Sequence, residues 1–138
     1  MQDTTIELAP IIDETRVRQR ILVIDDDREQ TQTLAYALRR QGFDVFTAHS
    51  FQEGLAAVEL HRPQLLIMDI RLPDGDGLSL CERLADESST CEIPVIILSG
   101  MEGPNIVRRA RSVGCHFFLR KPYDPNALLL LAESAINA

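Results

Sequence analysis

No apolar run in this sequence approaches the roughly twenty residues of a membrane span; the longest extends only from Ala127 to Ala132. The opening Met1-Gln2-Asp3 is acidic and lacks the apolar core of an export signal, so a cytoplasmic location and no membrane partner are expected. Cysteine is scarce. Cys81, Cys91 and Cys115 are odd in number and have no CxxC spacing, which excludes a disulfide miniprotein and reads as reduced, packed thiols. Histidine is equally sparse. His49, His61 and His116 lie far apart without an HxxxH pair, which disfavours zinc, and His61 before Arg62-Pro63 reads as a helix end rather than a phosphorylated histidine. Bases are outnumbered, 14 Lys and Arg against 21 Asp and Glu, for a formal charge of −7. Such a surface disfavours nonspecific binding of DNA, RNA or anionic lipid; no direct nucleic-acid contact is expected.

What is present is the composition of an ordinary globule, 45% hydrophobic and 25% charged over 138 residues, which is about one domain. Residues 1–19 read differently from the rest. Ile6 to Ile12 is apolar but broken by Glu7 and Pro10, and Arg16, Arg18 and Arg20 follow; a tail or linker is expected there. Residues 20–138 form the domain. Ile21–Ile24, Phe43–Phe46, Leu65–Met68, Ile93–Leu98 and Phe117–Leu119 read as five strands. Helices are expected between them and after the last. The first carries Leu34, Ala35, Ala37 and Leu38 and stops at Gly42. The second has Ser50 and Glu53 as a capping box. The third carries Leu78, Leu80, Cys81 and Leu84, behind a turn-rich loop from Leu72 to Gly77. The fourth runs from Pro104 to Gly114, and the fifth starts at Asp124-Pro125 and runs towards Asn137.

Strand and helix alternating five times with short connections imply a parallel sheet with right-handed crossovers. The fold class is therefore α/β, doubly wound and flavodoxin-like, (βα)5, with helices on both faces. The second and fifth strands are shorter or mixed and belong at the edges, which gives the order 2-1-3-4-5.

Open sheets of this kind bind ligands beyond the carboxyl ends of the strands. Asp25 and Asp26 end the first strand, Asp69 the third, Ser99 the fourth, and Lys121 follows the fifth. Carboxylates this close repel one another, and a hard divalent cation relieves the repulsion. Asp69, on the central third strand, is then the natural nucleophile for an aspartyl phosphate, with the metal, Lys121 and Ser99 neutralising charge. Competing motifs fail: there is no GxGxxG and no GxxxxGK[ST]. Asp74-Gly75-Asp76-Gly77 would put Leu72 at the first ligand position of a calcium loop. Asp69-Ile70-Arg71 lacks the second aspartate of a haloacid-dehalogenase-type phosphatase.

Four segments, ILVIDDD at 21–27, LLIMDIRLPDGDGL at 65–78, PVIILSG at 94–100 and FFLRKPYDP at 117–125, jointly resemble the receiver domain of bacterial two-component response regulators. The resemblance implies a phosphorylation-controlled switch that catalyses only its own phosphoryl transfer and hydrolysis. Asp69 would accept the phosphoryl group from a sensor histidine kinase or histidine phosphotransfer protein. Asp25, Asp26, Asp69 and the backbone carbonyl of Arg71 would arrange Mg2+ (or Mn2+), with Asp26 the direct ligand and Asp25 acting mainly through water. Ser99 and Lys121 would bind the phosphoryl oxygens, Phe118 would be the switch aromatic, and Lys121-Pro122 would be a cis peptide. Arg71 and Met101 sit where the family tunes dephosphorylation, and Gly100 leaves the entrance open to small donors such as acetyl phosphate. A downstream target or a homodimer would use the face of the fourth helix, fifth strand and fifth helix, which carries Arg108, Arg109 and Arg111 and the leucines 128–131. Glu133 alone offers little for a charge-paired dimer. A chain ending with the fifth helix fits a stand-alone receiver or one cut from a longer protein, and Met1 before a short extension favours the first. The alternatives are an interaction module that is never phosphorylated and a metal-dependent phosphatase.

Overall fold

Strands β1 (Arg20–Ile24), β3 (Leu65–Asp69) and β4 (Val95–Ser99) are apolar along nearly their whole length because both of their faces are covered. In this computed structural model, which describes residues 18–100 and 104–137, they form the centre of one five-stranded parallel sheet. β2 (Asp44–Ala48) and β5 (Phe117–Arg120) are its edges, in the order β2-β1-β3-β4-β5. Alternation along the strands divides the core into two layers. Ile21, Val23, Leu65, Ile67, Ile96 and Leu98 pack under α1 (Arg28–Arg40) and α5 (Pro125–Ile136). Leu22, Ile24, Leu66, Met68, Val95 and Ile97 pack under α2 (Phe51–His61), α3 (Gly77–Ala85) and α4 (Pro104–Ser112).

Capping residues set the helix starts close to the sheet. Asp27 accepts from Glu29 and Gln30 N–H, Ser50 from Glu53, Asp76 from Leu78 and Asp124 from Asn126, each cap worth about 1 kcal/mol. The Ser50 box closes one residue out of step, because Glu53 Oε2 accepts from the His49 N–H. Gly42 and Gly114 stop α1 and α4 with φ of +99° and +91°. Arg62 takes the same left-handed role after α2 at φ 50°, and the Arg20 guanidinium donates to the carbonyls of His61 and Arg62 there.

Three details differ from the sequence pattern. β2 begins at Asp44 and reaches Ala48, because Phe43 turns into the core instead of pairing. β4 begins at Val95, although the Pro94 carbonyl still accepts from Leu66 N–H. The loop expected from Leu72 to Gly77 overlaps a short antiparallel hairpin that starts one residue earlier, Arg71–Leu72 against Gly75–Asp76, a pairing too short to show as alternation. Of the four leucines on α5, Leu128 is buried, Leu129 and Leu131 pack partly against the core, and Leu130 is 69% exposed. Of the expected tail, Arg18 and Gln19 are described: Asp44 N–H donates to the Gln19 carbonyl, and Arg18 lies 3.9 Å from the Asp44 carboxylate. The earlier residues lie outside the described range.

Candidate functional site

Strand register assembles the site. Ile24 pairs with Met68, so Asp25 and Asp69 stand level at the ends of β1 and β3. Asp69 pairs with Leu98, which puts Ser99 one residue further on. Ser99 pairs with Arg120, which puts Lys121 one step further again. The Lys121 ammonium bridges the carboxylates, 2.9 Å from Asp69 Oδ2 and 3.3 Å from Asp25 Oδ2. Each aspartate keeps its other oxygen for a backbone N–H two residues on. Asp27 N–H donates to Asp25 Oδ1 at 3.0 Å and Arg71 N–H to Asp69 Oδ1 at 3.3 Å. Asp25 is buried, Asp69 half-buried and Asp26 exposed.

Burial pushes the Asp25 carboxyl up, and the neighbouring Asp69 charge adds to this; the Asp27 N–H and the Lys121 ammonium pull the other way without cancelling it. For Lys121 burial acts downward, but the hydrogen bonds and charges of Asp69 and Asp25 outweigh it and the net shift is upward. The Lys121 ammonium is held protonated between two carboxylates.

One carboxylate oxygen from each of Asp25, Asp26 and Asp69 lies within 4.8 Å of the other two. Three hard oxygen donors at that spacing, one of them exposed to exchange with solvent, suit a hard divalent cation of the magnesium type. Ser99 is fully buried at the end of β4, and its carbonyl accepts from Lys121 N–H at 2.8 Å. Phe118 is half-buried against the layer beneath α2, α3 and α4. The Lys121–Pro122 peptide is cis. Beside Gly100 a Cβ would meet nothing within 4 Å. Met101 lies outside the described residues.

A family model for the response regulator receiver domain matches residues 21–133. The chain belongs to this family. Among its curated relatives is the transcriptional regulatory protein PdtaR of Mycobacterium tuberculosis, 30% identical over 122 residues, covering 88% of this chain and 58% of that protein. A CheY-like receiver domain protein from Methanospirillum hungatei has a solved structure with a TM-score of 0.82 at 26% identity, covering 88% of this chain and 95% of that one. The non-phosphorylated HemR receiver domain from Leptospira biflexa matches with a TM-score of 0.80, also at 26% identity, covering 88% and 96%. The chain spans about half the length of the curated relatives it matches.

The receiver site has parts that the sequence reading did not anticipate. Asp74, in the turn of the small hairpin, accepts from the N–H groups of Phe51 and Gln52 at 2.6 and 3.1 Å. These bonds hold its carboxyl below the usual carboxylate range and fasten the segment after Asp69 to the start of α2. Asp76 caps α3 through one oxygen and pairs with Arg109 of α4 through the other, so that arginine is engaged within the chain. Gly77 lets α3 begin against the backbone of Asp69 and Ile70. Gln30 of α1 reaches Lys121. An Asp-Gly pair ahead of an apolar helical run hints at Gly77, but it reads equally well as a plain turn.

Proposed function

We propose that this receiver domain is a phosphorylation-controlled signalling switch in which Asp69 is the phosphoacceptor. The observation that carries the reading is the Lys121 ammonium, 2.9 Å from Asp69 and 3.3 Å from Asp25, beside the convergence of Asp25, Asp26 and Asp69. An Asp69 oxygen attacks phosphorus, the bond from phosphorus to the donor breaks, and an aspartyl phosphate forms. With a phosphohistidine donor the nitrogen–phosphorus bond is the one that breaks; the carboxylate has no proton to give, and the released imidazole nitrogen takes its proton from solvent. Lys121 is already placed to meet the charge on the transferred oxygens, and the Ser99 hydroxyl supplies a further hydrogen bond. Asp25, Asp26, Asp69 and the Arg71 carbonyl would hold magnesium or manganese, which when bound neutralises charge on the phosphoryl oxygens.

Donation comes from a sensor histidine kinase or a histidine phosphotransfer protein. Phosphorylation biases a two-state equilibrium in which Ser99 and Phe118 move together, and the changed surface of α4, β5 and α5 meets a downstream protein or a second copy. The curated relatives are regulators rather than enzymes, and self-phosphorylation with its hydrolysis is the chemistry assigned to this chain. No described helix is long and apolar enough to cross a membrane; the cytoplasm, where such donors act, is the proposed location, and residues 20–138 are the proposed extent of the domain.

Intact mass after acetyl phosphate treatment, with and without magnesium, tests this. The expected result is one phosphoryl adduct that requires magnesium and is absent from Asp69→Ala. A folded, magnesium-binding chain that takes up no phosphoryl group contradicts it.

A further inference from the structure

An ammonium carries three N–H donors, and Lys121 has three side-chain acceptors. Two are the carboxylates of Asp69 and Asp25; the third is the amide oxygen of Gln30, at 3.3 Å. Gln30 comes from outside the acid cluster, from the first turn of α1. Its own backbone N–H donates to Asp27 Oδ1 at 3.1 Å, so the cap that starts the helix also fixes where the glutamine stands.

Gln30 and Lys121 also share the wall of a cleft of about 690 Å³ that opens beside the site, floored by Leu34, Pro122, Tyr123 and Leu129. The lysine stem is flexible, and its head is a compact charge that water solvates strongly. With no acceptor at its third donor, the ammonium would be drawn towards water in that cleft and away from Asp69.

We propose that Gln30 is a positioning residue for phosphoryl transfer: its amide oxygen holds the third N–H of Lys121 and thereby keeps the other two on Asp69 and Asp25. The inference rests on the reading of Asp69 as phosphoacceptor. A charge placed before the reaction needs no reorganisation during it, so the rate of the chemical step is the quantity that should respond.

The test follows adduct formation by intact mass against acetyl phosphate concentration, at saturating magnesium. The chains compared are wild type, Gln30→Leu, Gln30→Glu and, as a control on the same helix, Gln32→Leu, which alters an exposed side chain. Gln30→Leu is expected to lower the limiting rate about 3- to 10-fold, the net worth of one ordinary hydrogen bond, as befits an exposed contact of 3.3 Å, while half-saturation and melting temperature stay within error. Gln30→Glu keeps an acceptor at the same reach and is expected to recover at least half of the lost rate; Gln32→Leu is expected to match wild type. A limiting rate for Gln30→Leu equal to wild type overturns the proposal while leaving Asp69 as phosphoacceptor. So does a defect that Gln30→Glu leaves wholly uncorrected. A wild-type chain with no adduct overturns both.

Discussion

Replacing Gly77 by alanine should damage the site and the fold together, because this glycine is the point where α3 meets the end of β3. A Cβ added there would overlap the Asp69 carbonyl oxygen and stand 3.1 Å from Ile70 Cα and 3.2 Å from the Asp69 carbonyl carbon. All of these are backbone atoms, so no side chain can rotate away. The Gly77 N–H already donates to the Ile70 carbonyl at 2.6 Å, which holds the helix start against the obstruction. Overpacking costs about 1–3 kcal/mol, and an overlap with backbone that cannot rotate away falls in the upper part of that range, about 2–3 kcal/mol. Alanine's better helix propensity returns at most about 1 kcal/mol, which leaves a net destabilisation of roughly 1–2 kcal/mol. For a chain this long that corresponds to a fall in melting temperature of roughly 3–10 °C. Relief must come from moving α3 or the Asp69 backbone, and a displacement near 1 Å at a reacting group costs on the order of 10²-fold in rate. Gly77→Ala is therefore expected to melt lower and to form its phosphoryl adduct at least tenfold more slowly. Gly100→Ala, with open space at the same test, is expected to keep the wild-type melting temperature. A Gly77→Ala chain with unchanged melting and unchanged rate refutes the reasoning.

Asp25 gives a pH-dependent prediction. Burial raises its pKa in the folded chain, so its contribution favours folding below the unfolded value and is lost as pH rises through the folded one. At neutral pH the charged form therefore costs stability. Asp25→Asn, which retains an acceptor for the Asp27 N–H, is expected to melt above wild type at pH 7 without magnesium, with the difference vanishing towards pH 3 and with magnesium stabilisation reduced. A lower melting temperature at pH 7 would contradict this. Thiol labelling checks the core: burial, with a smaller push from Cys115, takes the Cys81 thiol up to about 12, burial also raises Cys115, and Cys91 is exposed. A disulfide reagent at neutral pH should modify Cys91 quickly and the other two only after denaturation; rapid labelling of all three would refute the packing. Arg109→Ala removes a half-exposed ion pair with Asp76 and should cost less than about 1 kcal/mol. A loss of several kcal/mol on denaturant titration would show that the pair is more than a surface tie.

The sheet order was legible because burial on both faces leaves a local trace. Ile21–Ile24 and Leu65–Met68 carry no alternation, whereas Asp44–Ala48 carries polar residues among its apolar ones, and that contrast separates central strands from edges. The convergence of Asp25, Asp69, Ser99 and Lys121 followed from topology alone, since each closes or follows a parallel strand. Contacts between loops from distant parts of the chain left no such trace. Asp74 capping α2, Gln30 reaching Lys121 and Asp76 meeting Arg109 depend on where two segments meet in space, and neither segment's periodicity records the other. The four leucines of α5 show the same limit from the other side: their run is obvious, but only the packed helix shows that Leu130 alone is left largely exposed.

The most direct test of the central claim is to locate the phosphoryl group. Borohydride reduces an aspartyl phosphate to homoserine, so peptide mass mapping after acetyl phosphate and magnesium treatment marks the residue that carried it. Homoserine at position 69, and nowhere else, is the expected result. Homoserine at position 25 or 26, or a phosphoryl adduct that leaves Asp69 unreduced, would contradict the assignment of Asp69 as the nucleophile.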